Sequence, residues 1–135
     1  MSENIETIIT NVLNEKLSPF LITLFGSTVK GNVHQNSDID IAFLSDGIVP
    51  DQYEIFLFAQ DLASKLKRDV DLIDLNQAST VFQAQIVSTG KVIYCTDEQK
   101  RSQFELKTLK MYAKLNEERS PILKNIEESG SIYEK

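Results

Sequence analysis

FLITLFGSTVKGNVHQNSDIDIAFL, residues 20–44, holds two apolar runs around a polar loop, and its reading decides the fold. Residues 20–25 are short, apolar and rich in strand formers, so they predict a buried strand that ends at Gly26-Ser27. Residues 28–37 are polar and carry Gly31 and two asparagines, which predicts a loop with one helical turn at its start. A second strand is expected over 38–44. Side chains at i and i+2 of a strand share a face, so Asp38 and Asp40 stand side by side, ~6–7 Å apart. Ile39, Ile41 and Phe43 fill the opposite face. Two adjacent carboxylates disfavour each other's charge unless something positive lies between them. A divalent cation with a preference for hard oxygen ligands, Mg²⁺, would supply it.

Upstream, Ile5, Ile8, Ile9, Val12 and Leu13 form one apolar helical stripe, with Ser2 or Asn4 as caps and a stop near Ser18-Pro19. Downstream, Ile55, Phe58, Ala59, Leu62, Ala63 and Leu66 repeat at helical spacing behind Asp51 and Glu54, which resemble a capping box. Phe56 and Leu57 read as a broadening of the core face of that helix. Residues 69–75, DVDLIDL, alternate with period two and predict a third strand. A helix over 79–89, a strand at 91–95 and a final helix over 97–119 complete the order α, β, loop, β, α, β, α, β, α.

That order predicts an α/β (α+β) fold, a small mixed β-sheet flanked by helices. Residues 1–119 read as one domain and 120–135, with Ser120-Pro121 and a polar run, as a flexible tail. On the last helix, Leu106, Leu109 and Ala113 lie opposite Phe104, Met111 and Leu115 at about 100° per residue. One stripe can dock on the domain. The counter-stripe Phe104, Met111 and Leu115 is expected at an interface with a partner protein.

A third carboxylate should come from a neighbouring strand, and Asp71, inside an apolar stretch, ranks above Asp69 at the strand's entrance and Asp74 at its exit. Three carboxylates with bridging phosphate oxygens let two metal ions flank an in-line displacement at phosphorus. Gly26 permits close backbone approach, and the N–H groups and hydroxyl of Ser27 can cradle phosphate at the start of a short helix. Lys30 adds a charge. Gly26 and Gly31 have P-loop spacing, yet Asn32-Val33 stands where a Walker motif needs Lys followed by Ser or Thr, so that class of NTPase is disfavoured.

Together, Gly26, Ser27, Gly31, Ser37, Asp38 and Asp40 match a G-S-x-x-x-G…S-D-[IL]-D pattern. The chain thereby resembles the polymerase-beta-like nucleotidyltransferases, specifically the minimal nucleotidyltransferase (MNT) antitoxins paired with HEPN ribonuclease toxins. Asp71 corresponds to the family's later strand carboxylate. Lys30 stands where many members carry Arg, which keeps the charge and loses the bidentate fork.

The resemblance implies transfer of AMP from ATP to an acceptor hydroxyl with release of pyrophosphate. Asp38, Asp40 and Asp71 would hold two Mg²⁺ ions, with Asp71 also helping to deprotonate the acceptor, and Gly26 and Ser27 would bind the distal phosphates. The implied acceptor is a tyrosine of a HEPN toxin, held in a hetero-oligomeric complex, so the antitoxin would act as an enzyme. Two other readings remain open at this point: an antibiotic nucleotidyltransferase, and an antitoxin that inhibits by docking alone.

The chain has 135 residues, 41% of them hydrophobic, and a net charge of −6. Residues 1–96 contain six basic against twelve acidic residues, which argues against stable nucleic-acid binding. No apolar run is long enough for a membrane span. One cysteine, Cys95, and the lack of a leader point to a cytoplasmic setting. Cys95 reads as a core filler and His34 as an exposed loop residue.

Overall fold

The computed structural model describes residues 2–26, 29, 38–47 and 49–128, with side chains described from Ile5 to Glu118 within those ranges. Helix α1 (Ser2–Leu17) leads into strand β1 (Leu21–Phe25), and β2 (Ile39–Leu44) follows antiparallel to it. Helix α2 (Gln52–Leu66) then crosses back so that β3 (Val70–Asp74) lies parallel to β2. A 3₁₀ turn (Leu75–Gln77), helix α3 (Thr80–Thr89), strand β4 (Lys91–Cys95) and helix α4 (Glu98–Glu128) complete the chain. The sheet order is β3-β2-β1-β4, with β4 antiparallel to β1. This is the small mixed sheet expected from the order of the elements.

Period-two alternation divides the sheet's side chains between two cores. Ile22, Leu24, Ile39, Ile41, Phe43 and Leu72 face α1 and α2, meeting Ile9, Leu13, Ile55 and Leu62. Leu21, Phe25, Ala42 and Leu44 face the other way, toward Ile86, Phe82 and Phe104 of α3 and α4. All five residues of β1 are buried, as an apolar run without alternation requires of a strand covered on both faces. In β2 one position breaks that pattern: Asp40 is only partly buried among buried neighbours.

The capping box forms as read. Asp51 accepts from the Glu54 N–H at 2.8 Å, and Glu54 Oε1 accepts from the Asp51 N–H at 3.0 Å. The buried arc of α2 is narrow, however, comprising Ile55, Ala59 and Leu62. Phe56 and Leu57 are 56% and 44% exposed, so they do not broaden the core face.

Two readings of the last helix are corrected. It does not stop at 119 but continues through Ser120-Pro121 to Glu128, because a proline removes one backbone bond while the long unbranched residues on both sides sustain the rest. Of the expected counter-stripe, Phe104 and Leu115 turn inward while Met111 stays exposed. Phe104 packs on the second core, Thr108 is buried, and Tyr112 and Leu115 are half-buried, so the arc that docks runs from Phe104 to Leu115. Leu106, Leu109 and Met111 are the exposed apolar residues, and Ala113 is exposed with them.

Candidate active site

The strand registers bring the acidic residues to one end of the sheet. β1 ends at Phe25, whose partner across the antiparallel pair is Asp40, and the parallel pair sets Asp40 opposite Asp71. Asp38 directly precedes β2 and is exposed, and the Ile39 N–H beside it donates to the Asp69 carbonyl at 2.9 Å. Thus Asp38, Asp40 and Asp71, separated by up to 33 positions in the chain, share one sheet end and one field.

Burial and the charges of Asp71 and then Asp38 push the Asp40 carboxyl above the ordinary carboxylate range. Asp74 is not part of the cluster: it points to the opposite face at the far end of β3 and is buried. There it accepts from the Asn76 N–H and from Gln77 Nε2, each at 3.0 Å, capping the 3₁₀ turn.

Gly26 closes the other side. Its φ of +66° lies in the left-handed region that favours glycine. A Cβ built there would overlap Asp40 Oδ2 and lie 3.2 Å from Asp40 Cγ, so a larger residue would have to push that carboxylate aside. The Val29 N–H donates to the Gly26 carbonyl at 3.1 Å, and Val29 packs against the first core. Ser27, Lys30, Gly31, His34 and Ser37 lie outside the described residues.

A cleft of about 270 Å³ opens beside Gly26 on the Asp40 face of the sheet, lined by Phe25, Phe82, Gln85, Ile86 and Thr89. Sequence reading assigned no role to α3. Its signal was the i, i+4 spacing of Phe82 and Ile86, which marks an inward face without saying what lies beneath it.

Oxygen donors from Asp38, Asp40 and Asp71 are the right chemistry for Mg²⁺. Among the described residues no three such side chains already converge on one metal position. That is compatible with Mg²⁺, which keeps waters and substrate phosphates as ligands instead of filling an all-protein cage.

Residues 7–99 match the polymerase beta nucleotidyltransferase family. The chain belongs to that family. This nucleotidyltransferase is 45% identical over 106 residues to protein adenylyltransferase MntA of Shewanella oneidensis, covering 78% of its own length and 75% of the relative's. Two solved structures share its fold closely. A toxin-antitoxin complex with AMP-PNP superimposes with a TM-score of 0.81 at 42% identity, covering 90% of this nucleotidyltransferase and 97% of that chain. A complex of tri-AMPylated Shewanella oneidensis HEPN toxin with MNT antitoxin gives 0.78 at 37% identity, covering 93% and 98%. No helix among the described residues is long and apolar enough to cross a membrane.

Proposed function

We propose that this nucleotidyltransferase is an antitoxin that transfers AMP from ATP to a tyrosine hydroxyl of a cognate HEPN ribonuclease toxin and thereby neutralises it. The observation that carries the reading is the Asp40–Asp71 register, with Gly26 held against the Asp40 carboxylate. It joins a carboxylate cluster to a backbone corner fit for phosphate at one end of the sheet. The relatives point to the acceptor, since an MNT antitoxin is found with a tri-AMPylated HEPN toxin.

In the proposed reaction the tyrosine oxygen attacks the α-phosphorus of ATP and the bond to the β-phosphate bridging oxygen breaks. Pyrophosphate leaves in line with the incoming oxygen. The phenolic proton passes to Asp71, the more exposed of the paired carboxylates. Gly26, with Ser27, holds the distal phosphates, and Lys30 neutralises part of their charge. Asp38, Asp40 and Asp71 would hold two Mg²⁺ ions, which supply the positive charge that lets carboxylates and triphosphate share one site. An AMP group on the toxin adds bulk and a negative phosphate where a ribonuclease must accept RNA.

The exposed Leu106, Leu109 and Met111 of α4 supply a surface for the toxin in a hetero-oligomeric complex. The enzyme would act in the cytoplasm, where both ATP and RNA are present.

Intact mass of the co-expressed HEPN toxin, after incubation with this chain, ATP and Mg²⁺, tests the reading. The expected result is a gain of whole AMP units that vanishes with Asp40→Asn. A stable complex whose toxin keeps its mass would favour inhibition by docking and overturn the catalytic reading.

A further inference from the structure

We propose that the exposed stripe of α2 is a two-fold interface on which a second copy of this chain docks, with its own α2 antiparallel to the first.

The stripe begins just before the helix cap. Val49 is 78% exposed and Tyr53 68%, and Phe56 and Leu57 are exposed with them. At about 100° per residue, Tyr53, Phe56, Leu57, Gln60 and Ser64 share an arc of about 100°, roughly opposite the buried Ile55, Ala59 and Leu62. No charged residue of the helix falls within that arc. Aromatic anchors without charge are the make-up of an interface core.

Charge complementarity names the occupant. Glu54, Asp61 and Lys65 lie along one flank of the stripe, with the acid Glu54 in the first turn and the base Lys65 in the last. In an antiparallel pair each flank meets the same flank of the other helix, so Glu54 of one copy comes opposite Lys65 of the other, and two-fold symmetry makes that contact twice. The capping box already holds Glu54 in place. Asp61, between them, is paired within its own chain with Lys16 at 3.6 Å and Lys65 at 3.5 Å. A parallel pair would set this flank against the opposite one, where Gln52 and Ala63 offer no charge. A chain of net charge −6 repels its copy at a distance, and a neutral stripe edged by two cross-pairs relieves that repulsion at contact.

The placement leaves the rest of the molecule free. α2 lies on the sheet face opposite α3 and α4, and its first turns are at the end away from the carboxylates. A helix pair about 22 Å long is at the low end of interface sizes, so the dimer is expected to be weak and concentration-dependent.

Sedimentation of the full chain, from micromolar to near-millimolar concentration, tests the assignment alongside melting curves. Wild type is expected to pass from monomer to dimer. Phe56→Glu should weaken the dimer roughly tenfold at an unchanged melting temperature, because the residue is exposed. Lys65→Glu, which sets acid against acid only in the antiparallel arrangement, should weaken it roughly fivefold. A wild type that stays monomeric throughout would overturn the proposal, and so would a dimer indifferent to either substitution. Loss of toxin binding by Phe56→Glu from a chain that is always monomeric would give the stripe to the toxin instead.

Discussion

Gly26 is where backbone geometry and chemistry meet most closely. Gly26→Ala forces a Cβ into the Asp40 carboxylate and holds alanine at a positive φ, a conformational cost of about 1–2 kcal/mol. We expect a melting temperature lower by several degrees and AMP transfer reduced at least a hundredfold, read by thermal unfolding and toxin mass on one preparation. The larger loss in activity than in stability distinguishes a displaced carboxylate from a merely weakened fold. The reason glycine stands here was only half legible in the sequence. A turn after an apolar strand announced the conformation, and the i, i+2 spacing announced the acidic pair. The contact between Gly26 and Asp40 depends on the β1–β2 register, which no local pattern states.

Among the elements, α2 and the strands were the most legible, since their boundaries carry caps and turns and their apolar period is clean. Helix α4 was misread because two opposed apolar stripes are equivalent until the domain chooses one. Packing chose the arc centred on Thr108, with Phe104 at its edge against the second core. Phe104→Ala should cost about 1–3 kcal/mol, less than for a fully buried ring, and lower the melting temperature by several degrees. Leu106→Ala, at a position 60% exposed, should leave the melting temperature of the isolated chain within about a degree. If Leu106→Ala destabilised the chain as much as Phe104→Ala, the assignment of the docked arc would be wrong.

At the scale of the whole molecule, an acidic chain concentrates three carboxylates at one end of its sheet and accepts a standing electrostatic cost there. Burial first, then Asp71 and Asp38, raise the pKa of Asp40 in the fold. A carboxylate raised on folding contributes stability fully below its unfolded pKa, ~3.9, and loses that contribution as pH rises through the folded value. At neutral pH the ionised group therefore weakens the metal-free fold. Asp40→Asn is expected to melt higher than wild type at pH 7, by no more than a few degrees because the group is partly exposed, with the gap closing near pH 4. Mg²⁺ should reverse the order: at ten times its dissociation constant it would stabilise wild type by about 1.4 kcal/mol and leave the variant unmoved. An equal response of both proteins would argue against Asp40 as a ligand.

Asp71 sits on β3, which among the described residues is an edge strand paired with β2. Detachment of that outermost strand would remove the third carboxylate while the other two stay in place. Such local opening lies below global unfolding in free energy and is the kind of event that amide hydrogen exchange detects in edge strands. The lifetime of the working enzyme would then be governed by the fraying of one five-residue ribbon, long before the melting temperature of the domain is reached.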